Sequence, residues 1–274
     1  DPSPYPLPQG EGGLSRGSRW APRAAAIGLL LGAAACSRMA PPDPAREALR
    51  DSPALDLRLA DATLSAGAPD TALHVVNGML ARDPDDVPAL LRRGRALMAL
   101  NQPADAARSF ARVAALRPDS REALTGLARA RLAEGDAKNA ESAWRQALAL
   151  APGEARLRTG LAISLDLQER HAEAQALYRS VLAQTPDDPA IRSDLGLSLA
   201  LSGHPAEGVG LLREAARGGF GADSAASSRA RHNLAAGFVL AGDEAAARAE
   251  LSQDLPPAEV TAALAGLRQF AAAR

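Results

Sequence analysis

Few residues in this 274-residue chain are of the types that do covalent or metal chemistry. Cys36 is the only cysteine, so no internal disulfide can form. It also lies outside the periodic part of the sequence, which removes a Cys/His nucleophile pair. The four histidines, His74, His171, His204 and His232, show no HExxH or similar metal spacing. His171 and His204 fall at turn positions, where solvation at the surface accounts for them. There is no GxSxG elbow, no phosphate loop, and no GxGxxG leading into a helix. GEGG near Gly10 belongs to a Pro- and Gly-rich leader, and GGFG at 218–221 has no strand before it. The expectation is therefore no catalytic residues, no metal site and no cofactor. The side chains that do recur in register are Arg95 and Arg129, placed 34 residues apart. Two guanidiniums so placed can hold an acidic partner segment between them; the alternative is that both are simply solvated.

Bulk properties narrow the classes further. A net charge of -1 supplies no field for nucleic acid, and aromatic residues make up only 3%. They are too few for a base-stacking platform. Alanine dominates the apolar fraction; it is the strongest helix former and lets helices approach closely. Thin helical layers are favoured over one thick core, and the expected class is all-α.

The elements that would carry the arginines repeat. Pro84, Pro118, Pro152 and Pro186 keep a strict 34-residue spacing, as do Gly67, Asn101, Gly135, Glu169 and Gly203. The second series marks left-handed turns that end helices, with Glu169 the strained exception. The prolines mark a second stop. Each period thus holds a helix A and a helix B of about 12 to 14 residues. Small residues recur in phase: Ala60, Gly94, Ala128, Ala162 and Gly196 on helix A, and Ala72, Ala106, Ala140, Ala174 and Gly208 on helix B. Leu59, Leu127, Leu161 and Leu195 add bulk on helix A. Val76, Phe110, Trp144, Tyr178 and Leu212 fill the gap to the next layer from helix B. ARHNLAAGFVLAGDEAAARAEL repeats the pattern with Leu234, Ala235, Phe238, Gly242, Ala247 and Leu251, after an insertion that shifts the phase by five residues. Arg93 and Arg131 stand where the pattern has apolar residues, and Phe220 where it has Pro. The arginines read as aliphatic stems covering the core with their charge in water.

This spacing resembles the tetratricopeptide repeat (TPR), with its small residues at the eighth and twentieth positions and proline at the thirty-second. The resemblance implies an α-solenoid, a right-handed superhelix of antiparallel helix pairs whose A helices line a concave face. By analogy with that family the groove comprises Leu91, Arg95, Met98, Thr125, Arg129, Thr159, Ile163, Asp166, Ser193 and Leu197. Its occupants would be protein segments, not small-molecule substrates or nucleic acid. The Lys/Asn clamp of chaperone-binding TPRs is missing, since its positions hold Leu91 with Arg95 and Thr125 with Arg129.

Residues 24–35, AAAIGLLLGAAA, follow Arg16, Arg19 and Arg23 and have the layout of a secretory signal peptide. The run is too short to span a bilayer. LGAAAC resembles a bacterial lipobox, with Ala33 where Leu is usual; it implies lipidation at Cys36 and, with Ser37 next, sorting to the inner leaflet of the outer membrane, facing the periplasm. Expected boundaries are 1–35 for leader and signal peptide, 36–52 for the lipidated N-terminus and linker, 53–256 for a solenoid of about six repeats, and 257–274 for a C-terminal capping helix. Lipobox, repeats and the tail ending in LSQDLPPAEVTAALAGLRQF together resemble the TadD family, TPR lipoproteins of tight-adherence (Flp pilus) assembly. That resemblance implies a non-enzymatic scaffold which helps assemble or localise the pilus secretin, with other Tad components as further partners. The alternative is a TPR lipoprotein adaptor for polysaccharide export or outer-membrane protein assembly.

Overall fold

Helices alternate with tight turns from Pro53 onward in the computed structural model, which describes residues 52–218 and 225–272, side chains at 225–227 excepted. The leader, Cys36 and the linker as far as 51 lie outside the described residues, as do Phe220 and most of the insertion. Thirteen helices and no strand are present among the described residues. The A helices are α1 (Pro53–Ser65), α3 (Val87–Ala99), α5 (Arg121–Ala133), α7 (Ala155–Asp166), α9 (Pro189–Leu201) and α11 (Ala225–Leu240). The B helices are α2 (Pro69–Arg82), α4 (Pro103–Leu116), α6 (Ala137–Leu150), α8 (His171–Leu182), α10 (Pro205–Arg217) and α12 (Glu244–Leu251). Helix α13 (Pro257–Ala272) follows.

Local chemistry sets these boundaries. Asp86, Ser120, Asp136 and Asp243 each accept a hydrogen bond from the backbone N–H three residues on, and Asp188 caps α9 in the same way. Such caps satisfy donors that a helix start leaves unpaired. Between A and B the chain reverses through a left-handed residue: Gly67, Asn101, Gly135, Glu169, Gly203 and Gly242 all have positive φ. The residue after each one donates its N–H to the carbonyl five residues back, at Ala68, Gln102, Asp136, Arg170, His204 and Asp243, over 2.8–3.0 Å. This six-to-one closure ends the A helix and starts the B helix in the same orientation each time.

Each helix packs on its neighbours in sequence, and each A helix also touches the A helix of the next unit, whereas successive B helices make no comparable contact. The A helices therefore form an inner row. The in-phase small residues Ala60, Ala72, Ala106, Ala128, Ala140, Ala162 and Ala174 are fully buried at the A/B contacts. Val76, Phe110, Trp144, Tyr178 and Leu212 are buried between layers. The ring of Phe110 lies between two glycines on successive A helices. A Cβ on Gly94 or Gly126 would come within 2.6 Å of it, and one on Gly160 within 2.5 Å of Trp144. Helix α13 closes the row by burying Val260 and Leu264 in the cluster that contains Leu234, Phe238 and Leu251.

Two expectations, for Leu59 and His171, need correction. Leu59 does not supply bulk to a layer: it is 48% exposed, because α1 has no described helix before it to cover that face. Arg93 is only partly buried: Nη1 lies 3.3 Å from Ser109 Oγ, and Nε has no partner among the described residues. His171 is not a solvated turn residue. Its ring is 11% exposed and Nδ1 lies 2.9 Å from Asp166 Oδ1.

The closest backbone approach generates a paired prediction. A Cβ on Gly208 would fall 2.5 Å from the Gly196 carbonyl oxygen and 2.8 Å from the Ala200 nitrogen, whereas one on Gly210 meets nothing within 4 Å. Gly208→Ala is expected to cost about 1–3 kcal/mol of unfolding free energy by forcing α9 and α10 apart. Gly210→Ala is expected to gain about 0.5–1 kcal/mol through helix propensity alone. Urea unfolding of the two variants checks both signs.

Candidate partner-binding trough

The inner row of A helices carries three concavities that run into one another. The first is a hollow of about 490 Å³ bounded by Arg95, Arg121, Glu122, Thr125 and Arg129. Thr125 and Arg129 also line the second, of about 590 Å³, with Met98, Trp144, Glu154, Arg156, Thr159 and Ile163. Ile163 passes into the third, of about 270 Å³, with Ser193, Asp194, Arg229 and Asn233. The result is a trough crossing α3, α5, α7, α9 and α11.

The fold places each sequence-derived groove residue as follows. Arg95, Met98, Thr125, Arg129, Thr159, Ile163 and Ser193 line these hollows. Leu91 does not; it is partly buried against Leu97, Phe110 and Val113. Leu197 likewise packs on the cluster of Val209 and Leu212. Asp166 is drawn inward: its side chain is 15% exposed, pairs with His171 and accepts from Ser198 Oγ at 2.7 Å. Ser193 sits in the trough wall but is only 4% exposed, with Asn233 Nδ2 donating to its hydroxyl at 3.0 Å. The inner row also touches itself between repeats, so some positions on the A-helix face are used up by packing.

Sequence reasoning missed Arg121, Arg156, Asp194, Arg229 and Asn233. Arg121 and Arg156 lie one turn nearer the helix start than the positions taken from the repeat pattern. The signal for Asp194 was available: it stands 34 residues after Gly160 and 68 after Gly126. Where α5 and α7 leave room for a ring, α9 puts a carboxylate beside Tyr178.

Electrostatics divide the trough. Arg95 pairs with Glu122 and lies 4.0 Å from Asp61, so its charge is met within the chain. Arg121 pairs with Glu154 at 3.0 Å. Arg129 and Arg156 are exposed and have no carboxylate partner among the described residues. The two recurring arginines are thus unlike: Arg95 is neutralised and Arg129 is not. Further along, burial first, then the charges of Asp166 and Asp188, push the Asp194 carboxyl up to about 7, against a smaller opposing pull from Arg229. Burial, with Asp166 and Asp194 beside it, also drives the Tyr178 phenol upward, so it stays protonated. Among the described residues no group of three or more His, Cys, Asp or Glu is placed to hold a metal ion. No described helix is long and apolar enough to cross a membrane.

Asp194 makes the trough's neighbourhood pH-sensitive. Its folded pKa lies above the ordinary value of 3.8. The protonated form is therefore the one the fold favours, and that stability is present at low pH and is lost as pH rises through about 7. Asp194→Asn is expected to flatten this part of the profile, narrowing the gap in melting temperature between pH 5 and pH 8. An unchanged gap would assign the pH dependence elsewhere.

Comparisons with known proteins agree with this architecture. The tetratricopeptide repeat family matches residues 63–130 and 131–196. No curated relative matches the sequence. A tetratricopeptide repeat protein from Parabacteroides merdae superposes with a TM-score of 0.65 at 14% identity, over 82% of this chain and 89% of that one. PilW, described as a widely conserved type IV pilus biogenesis factor, gives a TM-score of 0.62 at 18% identity, over 75% of this chain and 94% of its own. MamA from Desulfovibrio magneticus gives 0.56 at 20% identity, over 60% and 92%. Identities this low speak to the fold alone. With tetratricopeptide repeats matched over residues 63–196 and the helix pairs stacked in space, the described residues form an all-α solenoid of TPR helix pairs.

Proposed function

We propose that the protein is a non-enzymatic scaffold which holds segments of other proteins in the trough, as an exported lipoprotein anchored through Cys36 to the outer membrane and acting in Flp pilus assembly. The observation that carries the scaffold reading is the continuity of the three hollows across five A helices, joined through Thr125, Arg129 and Ile163. A trough shared by several repeats suits an extended segment, since a compact ligand would fill only one hollow. Its mixed lining, with arginine in all three hollows among carboxylates, hydroxyls and an amide, suits a polypeptide better than a single substrate.

The pilus assignment rests on the lipobox-like LGAAAC, the repeat number and the tail, taken with the resemblance to TadD lipoproteins. PilW, a pilus biogenesis factor by its description, uses the same fold, so the architecture is compatible with that work. The partner is then the secretin through which the pilus leaves, met at the periplasmic face of the outer membrane. An envelope adaptor for polysaccharide export or outer-membrane protein assembly would share the anchor and the fold but sit among different genes.

Two measurements test this reading. Cells fed radiolabelled palmitate should label the protein, and Cys36→Ala should abolish the label and move the protein from the membrane to the soluble fraction. The native protein should co-purify with the pilus secretin, and its deletion should reduce secretin oligomers. Unlabelled protein removes the anchor; no association together with normal secretin oligomers removes the pilus role.

A further inference from the structure

The middle hollow is bordered by two cationic side chains that the chain leaves unmatched, Arg129, which it shares with the first hollow, and Arg156; in the third, Arg229 also has no ion pair among the described residues but shares its lining with Asp194, whose charge it favours. Flanking it, Arg95 is met by Glu122 and Asp61, and Arg121 by Glu154. Arg129 and Arg156 border the hollow, both exposed, with no carboxylate partner among the described residues. Below them the surface is apolar, with Met98 and Ile163 half-buried. The ring of Trp144 forms part of the wall because Gly160 has no Cβ to cover it. Trp144 is 4% exposed, and its indole Nε1 has no acceptor among the described residues. A buried donor without a partner is costly and uncommon in a folded protein.

We infer that this hollow receives a carboxylate of an extended partner peptide, with an aliphatic side chain beside it. The partner is thus an acidic segment of another protein in which Asp or Glu alternates with Leu-like residues. Arg129 and Arg156 supply two guanidiniums to one hollow, and a guanidinium suits a carboxylate by its planar fork as well as by charge. Met98 and Ile163 take the neighbouring aliphatic group. Arg95 plays no part in holding the ligand, because its own carboxylates already occupy it. The carboxylate is an acidic side chain of that segment; capture of a peptide C-terminus is a separate outcome of the test. This inference rests on the scaffold reading and sharpens it to a class of partner.

The test uses the full-length chain in detergent and three synthetic peptides in which an acidic residue alternates with Leu and Ala. One carries Glu with an amidated C-terminus, one is its Gln counterpart, and one is the Gln peptide with a free C-terminal acid. Isothermal titration should show saturable binding of the Glu peptide, weakened by salt, with affinity at least about tenfold above the amidated Gln peptide. Preference for the Glu peptide supports the side chain as the source; preference for the free-acid peptide alone overturns it. Arg129→Ala and Arg156→Ala should each reduce that affinity several-fold, and Arg179→Ala, on the exposed face of α8, should not. Reversal of both arginines to Glu should transfer the preference to a Lys-for-Glu peptide, a result a merely structural role would not give. Equal binding of the Glu and Gln peptides overturns the inference while leaving the trough a binding surface. Absence of binding by any peptide also overturns it. The scaffold reading is judged apart from this, by secretin association of the unaltered protein.

Discussion

The structure depends on one steric constraint: where a B helix sends the ring of Phe110 or Trp144 inward, the facing A helices present glycine. Phe110 between Gly94 and Gly126, and Trp144 against Gly160, meet backbone at distances that leave no room for a Cβ. At Gly196 and Gly208 the two backbones approach directly. Interiors pack at crystal-like density, so a bulky residue and an absent one must be matched across each contact. Repeating that match every 34 residues fixes the distance and orientation of each layer to the next. Because the B helices contribute the rings, the A helices are drawn into a contiguous row, and that row is where the trough lies.

Closure of each unit follows from backbone chemistry. The left-handed residue at Gly67, Asn101, Gly135, Glu169, Gly203 and Gly242 lets the next N–H reach a carbonyl that the A helix would leave unpaired. Asn tolerates that conformation; Glu169 adopts it against its own preference because the layers on either side leave no other path. The ion pairs that span units, such as Arg92 with Asp61 at 2.6 Å and Arg170 with Glu141 at 2.8 Å, are partly exposed and add little to stability. Arg231 with Asp254 is better shielded and ties α11 to the segment after α12, where the insertion has broken the strict phase. It holds the Asp254 carboxyl well below the usual carboxylate range.

Turns, helix pairs and the buried small residues were legible from spacing because each is a local requirement repeated in register. The trough was legible in part. Thr125, Arg129, Thr159 and Ile163 follow from the A-helix phase. Asp166 and Leu197 occupy the same kind of position yet are consumed by packing, since contacts between successive A helices depend on which neighbour reaches across. Asp166 found His171 and Ser198, one from its own turn and one from the next A helix. Arg95 and Arg129 look identical in sequence and differ only because Glu122 stands beside the first and nothing equivalent beside the second. Asp194 broke a Gly–Gly series, a signal visible in the repeats once rings and glycines are read together.

The functional account follows from what this packing leaves uncovered. The outer B helices present a broad solvated face, while the inner row offers unmatched arginines, an aliphatic strip and a carboxylate that ionises near neutrality, placed in sequence along one surface. The most direct measurement is a photo-crosslinking scan in living cells, with a photoreactive residue at Thr159 or Ile163 in the trough and at Ala176 or Arg179 on the outside of α8. The account predicts partner adducts from the trough positions and none from the outer ones. Adducts confined to the outer positions would contradict it.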